Sequence, residues 1–145
     1  MGTALALQRS IRPRRRMLSC PRCPPHPATT LVALSVLEGD DLALSVQVLQ
    51  EFYVQATRSG KPERLTHAQA SLLIESFLRF PVQEMTVELL QAALASKARF
   101  RISYGDAAII EAARAQGCHA VLSEDLNHGQ DYYGVKVVNP FRKRA

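Results

Sequence analysis

Residues 103–129, SYGDAAIIEAARAQGCHAVLSEDLNHG, constrain the fold of this chain more than any other stretch. The Ser103 hydroxyl can cap the free N–H groups of a first helical turn, with Asp106 three residues in. Ala107, Ile110, Ala113 and Arg114 continue at helical spacing, and Gly117 stands where a left-handed C-terminal stop is wanted. Cys118 to Leu122 is a short apolar run that reads as a buried strand, followed by a polar loop carrying Glu124 and Asp125. One acid therefore stands at a helix start and another just past the carboxyl end of a strand. In an open parallel α/β sheet, that rim is where ligands bind.

The remainder of the chain alternates in the same way. Thr30 to Leu37 is an apolar helical stretch ended by Glu38-Gly39-Asp40-Asp41, and Leu42 to Leu44 is a short strand. Ser45 caps a helix reaching about Arg58, on which Glu51 lies near Val48, Phe52 and Gln55. Thr66 and Gln69 form a T-x-x-Q capping box for a helix through Leu78. Val82 to Met85 reads as a strand, Thr86 caps a helix to about Ala98, and Val135 to Val138 is the last strand. Strands alternating with helices predict an α/β fold with a mostly parallel sheet flanked by helices, its N-terminal strand unassigned.

Charge divides the chain unevenly. Residues 1–37 hold six Arg and no acid, whereas the remainder carries 12 basic and 13 acidic residues, so the formal charge of +5 belongs to the head. Pro13, Pro21, Pro24, Pro25 and Pro27 fall in the first 28 residues, which show no hydrophobic period. Residues 1–28 thus read as a disordered basic head, and 29–145 as the folded domain. Cys20, Cys23 and His26 supply three zinc-type ligands, but a structural site needs four and the next candidate is His67. Neither a secretion signal nor a membrane-length apolar run is visible, and the three Cys suit a reducing cytoplasm.

The segment Asp106-Ala107-Ala108-Ile109, followed by Ser123-Glu124-Asp125, resembles the C-terminal half of a PIN domain, the nuclease fold of many VapC-type toxins. That family places an Asp in a D-A-x-I helix and another in an S/T-x-D loop after the next strand. The likeness runs from about Leu42 to Asn139-Pro140-Phe141. It implies that Glu51, Asp106 and Asp125 surround one pocket, hold Mg²⁺ or Mn²⁺ and carry catalysis, with Ser123 supporting the loop. It further implies an RNA substrate, an antitoxin protein that plugs the acidic groove, and a homodimer.

The chemistry is coherent. Two carboxylates 4 Å apart repel by about 4 kcal/mol at an effective dielectric near 20, so a cluster stays ionised at neutral pH only around a cation. Oxygen ligands select a hard ion. Taken singly, each acid has a structural reading: Asp106 complements a helix dipole, Glu51 is a solvated helix residue, and Asp125 forms a turn. Their joint spacing within the family pattern is what gathers them into a site. Glu124, His67, His119 and His128 are expected to face solvent. The family pattern also opens with a strand ending in an Asp, typically D-T-N, and here no acid precedes Glu38. Either the head is not the ancestral one, through a shifted reading frame or start, or the chain is an inactive remnant that still dimerises or binds an antitoxin.

Overall fold

The computed structural model describes residues 16–18, 38 and 40–142. Among them the elements are β1 (Arg16–Leu18), β2 (Leu42–Ser45), α1 (Val46–Thr57), α2 (His67–Phe77), β3 (Val82–Gln83) and α3 (Val87–Phe100). Then follow α4 (Tyr104–Ala115), β4 (Ala120–Leu122), β5 (Asp131–Tyr132) and β6 (Val135–Val138). The strands form one sheet in the order β3-β2-β1-β4-β6-β5. All neighbours pair in parallel except β5 with β6. This is the α/β architecture that the alternation of elements predicts.

The helix boundaries follow local chemistry. Ser45, Thr66, Thr86 and Ser103 each occupy an N-cap, accepting from the backbone N–H three residues on, and Thr66 with Gln69 completes the reciprocal box. At the end of α4, Gly117 adopts φ +69°. Cys118 N donates to Ala113 O at 2.8 Å and Gly117 N to Arg114 O at 3.0 Å, the paired bonds of a Schellman stop. A side chain at 117 would strain that left-handed backbone.

α4 is the helix on which the sheet closes. Ala107, Ala108, Ile109, Ile110, Ala112 and Ala113 are all buried, and the helix packs across β1, β2, β3, β4 and β6. Its alanines permit a close approach: Ala93 of α3 meets Ala107 and Ala108 in a small cluster. Met17, Leu42, Leu44, Ile110, Val121, Leu122, Tyr132, Val135 and Val137 fill the main core. A side chain of that size contributes about 1.5–3 kcal/mol when fully buried.

The principal difference from the sequence expectation is β1. Arg16 to Leu18, assigned above to a head outside the domain, lies between β2 and β4, with Met17 fully buried. A boundary at residue 28 therefore separates β1 from the strands it pairs with. Parallel pairing explains the miss. Met17 aligns with Ala43 on one side and Val121 on the other, partners distant in sequence that leave no local period. Arg16 is anchored as well: its Nε and Nη2 donate to Asp41 Oδ2 at 2.7 Å and Oδ1 at 2.9 Å.

Smaller differences concern lengths. β3 is two residues long, α3 continues to Phe100, and β4 begins at Ala120. β5 is an additional short strand joined to β6 through Tyr133 (φ +51°) and Gly134 (φ +89°). The apolar stretch 30–37 and the zinc candidates Cys20, Cys23 and His26 lie outside the described residues.

Candidate metal and nucleic-acid site

Because β1, β2, β3, β4 and β6 are parallel, their carboxyl ends share one rim. At β2 that rim is Ser45, buried, whose Oγ accepts from Val48 N at 3.2 Å and starts α1 directly from the strand. Glu51 follows in the second turn, with an exposed side chain. Gln47, one turn earlier, donates from Nε2 to Glu51 Oε1 at 3.3 Å.

The start of α4 meets these two residues. A Cβ placed on Gly105 would lie 3.6 Å from Gln47 Nε2, 3.7 Å from Glu51 Oε1 and 4.0 Å from Ser103 Oγ. Gly105 thus leaves a recess between α1 and α4 that any side chain would begin to fill. Asp106 is the next residue, half-buried, its N–H donated to Ser103 Oγ at 3.1 Å. Tyr132 packs edge-on against Phe100 with ring centres 5.0 Å apart. Burial raises the Tyr132 phenol above its ordinary pKa, and the negative charge of nearby Asp106 adds to the rise.

Asp125 reaches the rim from β4. Ser123 is buried, and its Oγ accepts from Asp125 N at 3.2 Å and Leu126 N at 3.4 Å, folding the loop back at the strand end. Asp125 itself is exposed. β2 and β4 flank β1, so their ends are two strand spacings apart, roughly 10 Å. The structure therefore brings the Glu51 carboxylate to Gly105, the residue before Asp106, and sets Asp125 on the same rim across β1. Among the described residues, no three His, Cys, Asp or Glu side chains are gathered closely enough to hold a metal ion.

The donors nonetheless suit a hard cation. Carboxylates and an amide are oxygen ligands of the Mg²⁺ and Mn²⁺ type. Gln47 Oε1 is buried without a hydrogen-bond partner among the described residues, beside the Gly105 recess. A family model for the PIN domain matches residues 26–130. The chain belongs to the PIN domain family. That membership points to a nuclease-type function and to nucleic-acid binding. No curated protein matches this PIN domain.

β1 precedes the matched region, yet it pairs with strands inside it. Glu124, expected to face solvent, is half-buried, and its Oε1 lacks a hydrogen-bond partner among the described residues. His67 is exposed but bonded to Tyr53 Oη at 2.9 Å, and His128 Nδ1 accepts from Asn139 N at 3.0 Å. Sequence reasoning missed Gln47. Its signal was present, an amide one turn before Glu51 on the side of α1 that also carries buried Val48.

Proposed function

We propose that this PIN domain is a divalent-metal-dependent endoribonuclease of the VapC toxin type, in which Glu51, Asp106 and Asp125 hold Mg²⁺ or Mn²⁺. The observation that carries this reading is the approach of the Glu51 carboxylate to Gly105, beside Asp106, on the carboxyl rim. When bound, the cation would polarise the scissile phosphate and lower the pKa of a water for in-line attack. The residues of the chain have separate tasks around it. Glu51 and Asp106 present ligand oxygens from two helices whose starts are fixed by Ser45 and Ser103. Ser123 holds the loop that carries Asp125. The gap at Gly105 keeps the recess between the helices open.

No acid precedes Glu38, so the carboxyl end of β1 contributes no carboxylate from the residues that follow it directly. Charge lost from a cation's surroundings lowers affinity and misplaces water, so we propose slow turnover. The partners fit the same reading: an RNA substrate, a cognate antitoxin across the groove, and a second copy of the chain in the cytoplasm. Support for a homodimer comes from α3, where Val87, Leu90 and Leu94 recur at helical spacing and are all exposed. No helix among the described residues is long and apolar enough to cross a membrane.

The test is cleavage of single-stranded RNA by purified protein with Mn²⁺, Mg²⁺ or EDTA, beside Asp106→Asn. Slow cleavage that needs the cation and disappears in the variant is expected. A parent protein that cleaves nothing while still forming a dimer would identify an inactive remnant.

A further inference from the structure

The polar group at this site that sequence reasoning missed is, with Glu124, one of two left with an unsatisfied buried oxygen among the described residues. Gln47 stands in the first turn of α1 with its amide near Gly105 at the start of α4, and it is engaged at only one end. Its Nε2 donates to Glu51 Oε1 at 3.3 Å. Its Oε1 is buried and has no hydrogen-bond partner among the described residues. Burying an acceptor without a donor is unfavourable, and folded proteins leave few such groups. The amide is also held in place. The missing Cβ of Gly105 opens the recess in which Gln47 Nε2 and Glu51 Oε1 lie side by side.

We infer that Gln47 is a positioning residue of the cation site, a conclusion that rests on the metal-dependent reading above. Its N–H orients the Glu51 carboxylate toward the recess, and its Oε1 accepts a hydrogen bond from a water in the hydration shell of the cation. A hard cation such as Mg²⁺ keeps several waters, each an O–H donor of the kind Oε1 lacks. The arrangement explains why an amide stands here. A carboxylate at 47 would repel Glu51, and a hydrocarbon would leave Glu51 unoriented.

The experiment compares parent protein, Gln47→Met and a control, Gln50→Met, by Mn²⁺ titration calorimetry and by thermal melting without metal. Methionine keeps the length and flexibility of the side chain while removing both polar ends. Gln50 is exposed on the same helix and should leave both measurements unchanged. Gln47→Met should weaken Mn²⁺ binding by roughly 10–100-fold, the usual effect of losing a group that orients metal ligands. Its metal-free melting temperature should equal or exceed that of the parent, because the buried acceptor is gone. A filler of space alone would show the reverse, a lower melting temperature with unchanged affinity. Unchanged Mn²⁺ affinity in Gln47→Met overturns the inference whatever the melting temperature does. Failure of the parent itself to bind Mn²⁺ would bring down the metal-dependent reading instead.

Discussion

The carboxyl ends of β1 and β4 are neighbours with nearly the same sequence and different chemistry. Met17-Leu18 pairs in register with Val121-Leu122, and each pair is followed by Ser. After β4 the chain continues Ser123-Glu124-Asp125, whereas after β1 it continues Ser19-Cys20-Pro21. The sheet needs only the apolar residues. Met17 and Val121 are both fully buried, and their ladder forms without reference to what comes next. The proposed nuclease chemistry needs an acid, which one strand end supplies and the other does not. Fold and site are therefore separable here: one can persist where the other is impaired.

Three substitutions sharpen that contrast, in descending order of effect. Met17→Ala should destabilise by about 2–5 kcal/mol, the range for emptying a well-packed core position. Urea denaturation measures it. An unchanged midpoint would show that β1 adds little to the sheet and that residue 16 is no part of the folded unit.

Ser123→Ala acts at the other strand end. Removing Oγ takes away the acceptor of the buried Leu126 N–H and of the partly buried Asp125 N–H, at a cost of about 1–3 kcal/mol. Mn²⁺ affinity should fall as well, because Asp125 loses its fixed loop. A variant that loses stability but retains full affinity would remove Asp125 from the site.

Asp41→Asn should have the smallest effect, about 1 kcal/mol, because the Arg16 pair is partly exposed and screened by solvent. The hydrogen bond from Arg16 is the largest influence holding the Asp41 carboxyl below its ordinary pKa, and the charge of Arg16 acts in the same direction. A lowered native pKa stabilises the fold above the unfolded value and is lost as pH falls through the native one. The parent should thus lose this increment in acid, from about pH 4 downward, and Asp41→Asn should lack that part of the pH dependence. Identical acid profiles for the two proteins would show that the ion pair does not anchor β1.

What was legible in the sequence was local. Ser45, Thr66, Thr86 and Ser103 announce their helices within four residues, and Gly117 announces its stop, because caps are formed by neighbours in the chain. β1 was illegible because three residues with partners far away in sequence carry no period. The β5–β6 hairpin was missed for a related reason. Its two-residue turn has positive φ at Tyr133 and Gly134, and Tyr is not the Asn or Asp that usually marks such a turn. At the site, the positions of Glu51, Asp106 and Asp125 on one rim follow from spacing and strand order. The distances between them do not, since they depend on how α1 leans on α4. Gln47 lay one turn before Glu51 in the sequence, but its proximity to Gly105 follows only from that lean.

The claim on which the rest depends is that one cation draws the three acids together. Crystals grown with Mn²⁺ and measured at a wavelength where manganese scatters anomalously test it directly. The account predicts one peak in the recess beside Gly105, with ligand oxygens from Glu51 and Asp106 and with Asp125 closing from the β4 side. A peak held by other residues, or a fully loaded crystal in which Asp125 faces away from the ion, would contradict it.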